Sequence, residues 1–137
     1  MRFAQPETWF QHPTIFGAVL GILTLSVAFL LPRDAAIQFA AITLAVTGGA
    51  YAGFALQDSR SRVLWVEMLG ALAFAAASLA GLWLTPFAIP AAYILHAVWD
   101  MLHHRGRVIS TGVPGWYIPF CIVFDLLTAS GLLALWL

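Results

Sequence analysis

Charge is scarce in this chain. Only 9% of its 137 residues are Asp, Glu, Lys or Arg, against roughly 25% in a soluble domain. Lysine is absent, so the six basic residues are all arginines, and six acids bring the formal net charge to zero. Without a basic face there is no electrostatic footprint for nucleic acid. The single cysteine, Cys121, excludes an intrachain disulfide and a multi-cysteine metal site. No internal repeat, low-complexity tract or second domain interrupts the chain, which reads as one unit over 1–137.

What is abundant is apolar. Hydrophobic residues make up 62% of the sequence, with a mean hydropathy of +0.92. Polar punctuation divides them into five runs, 14–31, 35–56, 63–84, 87–104 and 116–137. A helix needs about 20 apolar residues to cross a hydrocarbon core, whereas a membrane β-barrel would show shorter, alternating segments. The runs are continuous and rich in Ala and Leu, so the expected fold is an all-α integral membrane protein, a bundle of five transmembrane helices. Pro86 and Pro90 separate the third run from the fourth, since proline is tolerated at a helix start but not in its interior. The first run is longer than the apolar core of a signal peptide and reads as a span.

Arginine placement predicts orientation. Five crossings put Arg2, Arg60, Arg62, Arg105 and Arg107 on one side and Arg33 on the other, which is an N-in, C-out arrangement in a bacterial inner membrane. Trp9, Trp65, Trp83, Trp116 and Trp136 fall near span ends, where interfacial tryptophans sit. Trp99 falls inside the fourth span. The first 13 residues are expected along the cytoplasmic interface.

Against this background a few ionisable residues stand out, because each costs about 2.5–3.5 kcal/mol at mid-membrane and therefore faces a bundle interior by default. Glu67 lies about one turn into the third span. The fourth carries His96, Asp100, His103 and His104 in the pattern H-x-x-x-D-x-x-H-H, and the fifth carries Asp125. At about 100° per residue the four residues of the fourth helix project within an arc of roughly 100°. On the fifth, Tyr117, Cys121, Asp125 and Thr128 share a face. His96 lies nine residues before the connecting loop 105–115 and Asp125 ten after it, so both sit at similar depth and can meet across the hairpin. Glu67 is at a depth comparable with Asp100. A pocket from helices three to five, opening toward the cytoplasm, is the expectation. Thr43, Thr47, Phe54 and Asp58 align on the second helix with Tyr51 at the edge, and Gly48-Gly49 offers a place for a kink or a ligand. Gly17 and Gly21 form a small-xxx-small pair for close helix approach.

Several chemistries suit these residues. Imidazoles and carboxylates hold Zn, Fe or Mn, with His96, Asp100, His103 and His104 as candidate ligands and Asp125 or Glu67 completing the shell. The plainer alternative pairs His96 with Asp125 and leaves His103 and His104 among headgroups. Membrane di-iron enzymes use more histidines than this chain offers, and one histidine on a span is thin ground for a haem or chlorophyll ligand. Metal-free acid–base catalysis by Glu67, Asp100 and Asp125 is the second reading, since buried carboxyl groups with split titrations make donor and base. Its plain counterpart is a hydrogen-bonded network that fixes helix register. A transport path fits less well, because the far halves of the helices are nearly all apolar. An accessory or cofactor-binding subunit of a larger membrane complex is the non-enzymatic alternative, with Gly17 and Gly21 as its contact. Cys121 reads as an inert small hydrophobe.

His96-Ala-Val-Trp-Asp100-Met-Leu-His-His104, followed by Gly115-Trp-Tyr and Cys121-Ile-Val-Phe-Asp125, resembles small bacterial polytopic membrane proteins of unknown function over roughly the last 45 residues. That resemblance implies no activity. The residues themselves point to a membrane enzyme acting on a lipid-like or isoprenoid substrate, with the bilayer as its surroundings and a homodimer or a membrane complex as its assembly. Asp100 and Asp125 are its expected central carboxylates, Glu67 an additional acid, and His96 and His103 metal ligands or proton shuttles.

Overall fold

The structure, a computed structural model, describes residues 12–137. The interfacial segment expected over the first 13 residues, with Arg2 and Trp9, lies outside the described residues up to residue 11. The described chain is five α-helices with no strand: α1 (Pro13–Leu30), α2 (Arg33–Gln57), α3 (Ser61–Trp83), α4 (Ala88–His103) and α5 (Tyr117–Trp136). Proline writes several of the boundaries. Pro13 sits in the first turn of α1, Pro32 separates α1 from α2, and Pro86 lies in the tight turn between α3 and α4. Pro90 is the third residue of α4, where its missing N–H removes no helical bond. At the other end of α4, Arg105 and Gly106 take left-handed φ angles of 55° and 64°, which reverse the chain after His103. Glycine does this without strain; arginine does not.

α1, α2, α3 and α5 are long and apolar enough to cross a membrane. α4, with 16 residues, is the short one, about 24 Å at 1.5 Å per residue. The distribution of side chains is inside out. Phe29, Val46, Leu69 and Leu95 are more than half exposed, whereas Glu67, His96, Asp100 and Asp125 are wholly buried. Val98 and Met101, on the back of α4, also point outward. Water would penalise the apolar exterior and welcome the polar interior; hydrocarbon reverses both preferences. The protein is built for a membrane.

Without a hydrophobic drive between helices, packing depends on close backbone approach. The inward row of α2 is accordingly Ala36, Ala40, Leu44, Gly48, Tyr51 and Ala55, and that of α1 is Gly17, Gly21, Thr24 and Ala28. A Cβ at Gly17 would collide with the carbonyl oxygen of Phe120, and one at Gly21 with the side chain of Leu127. The Gly17/Gly21 pair is therefore an internal contact with α5. Helix α2 runs unbroken through Gly48-Gly49, with no kink; Gly48 gives room to the ring of Phe74 on α3. α4 lies against α2, α3 and α5, while α1 closes the bundle on α2 and α5. Three sides of α4 are thus occupied by neighbours, which is why its polar residues meet partners from three helices.

Candidate functional site

α4 presents His96, Asp100 and His103 one turn apart, and each finds its partner on a different helix. His96 Nδ1–H donates to Asp125 Oδ2 on α5 at 2.7 Å and lies 3.6 Å from Asp100 Oδ2. The hydroxyl of Tyr51 on α2 donates to Asp100 Oδ1 at 2.6 Å. One turn nearer the connecting loop, His103 Nε2 pairs with Glu67 Oε1 on α3 at 2.6 Å, and His103 Nδ1–H donates to the Trp99 carbonyl at 2.7 Å. Thr111, from the α4–α5 connection, donates a short hydrogen bond to the same Glu67 oxygen. The ring of Tyr51 lies 4.2 Å from that of His103, centroid to centroid, and so touches both groups. Phe74 covers His96 edge-on at 4.8 Å.

The expected ligand quartet divides. His96 and Asp100 join Asp125; His103 is engaged with Glu67; His104 is exposed, outside both groups. The reason is angular: His103 and His104 are about 100° apart on the helix, and only the former faces α3. His96, Asp100 and Asp125 each offer one ligand atom within 4.8 Å of one another, a grouping able to hold a metal ion. The two groups also differ in how fully they are satisfied. Both nitrogens of His103 are taken, and Glu67 keeps only Oε2 unpartnered. In the other group His96 Nε2, Asp100 Oδ2 and Asp125 Oδ1 are buried without a hydrogen bond, as is Thr128 Oγ1 one turn along α5. Buried polar atoms without partners are uncommon and call for a cause.

Access differs from expectation too. At the arginine-rich end, the connection 105–115 folds over the bundle. Thr111 is buried against Glu67, and Arg60 donates to the Ser110 carbonyl at 2.7 Å, tying the α2–α3 turn to this connection. Arg60 also grips Asp58 at 2.7 Å, and that hydrogen bond holds the Asp58 carboxyl down at about 2. A cleft lies on the flank as well, and neither it nor the hollow beside Arg60 and Ser110 at the arginine-rich end is lined by a residue of either polar group. The flank cleft, of about 400 Å³, runs between α1, α2 and α5, bordered by Thr24, Thr43, Thr47, Tyr117, Cys121 and Phe124. Tyr117 and Cys121 at its floor pack against Tyr51, whose hydroxyl holds Asp100.

A family model matches residues 12–137, nearly the whole chain. The chain belongs to DUF6010, a family of unknown function. No curated protein and no solved structure matches it.

Two residues of this DUF6010 protein's polar interior escape sequence reasoning. Tyr51 is central, although the row of Thr43, Thr47, Phe54 and Asp58 draws attention to the neighbouring face of α2; Thr43 and Thr47 border the cleft instead. The available signal was a lone tyrosine flanked by small residues in a long apolar run. Thr111 gave no such signal, because a loop has no periodicity to place it.

Proposed function

We propose that this protein is a membrane-embedded enzyme acting on a lipid-like or isoprenoid substrate, with Asp100 and Asp125 as its central carboxylates and His96 as the proton shuttle between them. One observation carries the reading: a wholly buried His–Asp–Asp group with unpartnered polar atoms stands behind the floor of a cleft that opens sideways between helices. An apolar chain entering from the bilayer would reach Tyr117 and Cys121 and, behind them, the carboxylates. In a low-dielectric site two neighbouring carboxyl groups do not ionise alike, so one serves as acid and the other as base. Glu67 and His103 act at one remove, holding the face of Tyr51.

The proposed topology is five crossings, N-in and C-out, in a bacterial inner membrane. It is supported by Arg60, Arg62, Arg105 and Arg107, which gather at the end where Arg60 joins the two connections. A reporter fused after Leu137 is expected to behave as periplasmic. For the activity, lipids extracted from cells overproducing the wild type are compared by mass spectrometry with those from cells making Asp125→Asn. The expected result is a lipid or isoprenoid species that changes with the wild type alone. Identical lipid profiles, with the wild type purifying in stoichiometric association with other polypeptides, would replace the enzyme by an accessory subunit.

A further inference from the structure

The group around His96 holds more acceptor capacity than the chain supplies with donors. Asp100 and Asp125 bring four oxygens; Tyr51 O–H occupies one and His96 Nδ1–H another. Asp100 Oδ2 and Asp125 Oδ1 are left bare, both in wholly buried residues. The described arginines are all exposed, at or beyond helix ends, and none reaches these oxygens. Two carboxyl groups beside one imidazole avoid net charge in apolar surroundings only by keeping protons among them, and a divalent ion in place of those protons neutralises both carboxylates.

We infer that this group is a binding site for one divalent first-row metal ion, held by His96 Nδ1, Asp100 Oδ2 and a carboxylate oxygen of Asp125. Geometry supports the assignment. Ligands placed about 2.0–2.2 Å from an ion stand roughly 3–3.5 Å from one another. His96 Nδ1 lies 2.7 Å from Asp125 Oδ2 and 3.6 Å from Asp100 Oδ2, a spread that brackets that range. The surroundings support it independently. Ligating carboxylates are themselves held by outer hydrogen bonds that aim them, and Tyr51 does this for Asp100, occupying Oδ1 while Oδ2 faces the histidine. One nitrogen and two carboxylates, with no thiolate, suit Mn²⁺, Fe²⁺ or Zn²⁺ and leave coordination positions open. Glu67 and His103 are not part of the site, because their polar atoms are mostly committed to each other, to Trp99 and to Thr111.

The inference rests on the site of the proposed function and makes its chemistry metal-assisted, with His96, Asp100 and Asp125 as ligands in place of shuttle, acid and base, yet its test needs no substrate. The full chain, purified in detergent and stripped with a chelator, is titrated with Mn²⁺ followed by electron paramagnetic resonance, and with Zn²⁺ in competition with a chromophoric chelator. One ion per chain is expected for at least one metal. Asp100→Asn and Asp125→Asn each weaken binding at least tenfold, and the conservative Tyr51→Phe weakens it about tenfold through loss of the outer hydrogen bond. His104→Ala and His103→Gln bind as the wild type does. No binding of either metal to the wild type overturns the site, as does binding that survives both aspartate substitutions or is lost equally in His104→Ala. A metal-free chain with altered lipids in the cell would leave the acid–base enzyme standing; a metal-binding chain without lipid turnover would leave only the site.

Discussion

Two polar groups sit one helical turn apart in the same bundle, and they are built on opposite terms. In the Glu67–His103–Thr111 group, both ring nitrogens are bonded, one carboxylate oxygen accepts twice, and a loop residue completes the set. In the His96–Asp100–Asp125 group, acceptors outnumber donors and polar atoms on all three residues go without a hydrogen bond. Both groups are buried, so burial does not explain the difference. The first group, with Glu67 Oε2 its one unpartnered side-chain atom, is nearly complete as a strut that fixes α3, α4 and the α4–α5 connection. The second is incomplete within the chain, and an incomplete buried group is where a ligand, an ion or a reacting molecule fits. Burial is common to both groups; the balance of donors and acceptors is what sets them apart.

That contrast can be broken by substitution. The largest effect is expected from Glu67→Ala, which strands His103 in the interior; breaking a buried pair from one side costs about 3–5 kcal/mol, read as a large fall in unfolding temperature in detergent. Thr111→Val removes a hydrogen bond to the buried Glu67 carboxyl group, a loss of about 1 kcal/mol, and should also speed trypsin cleavage after the exposed Arg105 and Arg107 as the connection lifts. Asp100→Asn should move the other way. In the presence of chelator its amide N–H supplies a donor to a group short of donors and raises stability by about 1 kcal/mol, on the scale of one net hydrogen bond. A fall as large as that of Glu67→Ala would place both groups in the same structural class and end the distinction. The smallest effect belongs to the exposed Asp58–Arg60 pair. Its carboxyl is held at about 2 against an ordinary 3.8, so its contribution is complete above pH 4 and fades as pH falls toward 2. Arg60→Ala should therefore cost little at neutral pH and flatten that acid limb in the same unfolding measurement.

Much of the fold could be read in advance, because hydrocarbon imposes a length and proline imposes ends. The five apolar runs agree with the five helices to within a few residues, and the similar spacing of His96 and Asp125 from their loop, nine residues and ten, brings them to one level. What escaped has a common cause. A helical wheel gives the faces of a helix but not which face meets which neighbour. On α2 the inward row is chosen by small residues, Ala36, Ala40 and Gly48, the last giving room to Phe74 of α3, and Tyr51 rides inward with them. On α4 the same limit blurred His103 with His104, which differ by a single residue and occupy opposite environments. The closed arginine-rich end was hidden for another reason: Thr111 reaches Glu67 only because Arg105 and Gly106 turn the chain back over the bundle.

That folded-back connection also bears on how any guest would be measured. With the connection folded over one end by Thr111 and a cleft on the flank between helices, a guest reaching that cleft would come from a two-dimensional solvent. Occupancy would then follow the mole fraction of a compound in the bilayer and not its molarity in buffer, and partitioning would sort candidates before shape had any say. Detergent tails would compete for the same berth, so dilution into nanodiscs of defined lipid should sharpen every binding curve that micelles blunt.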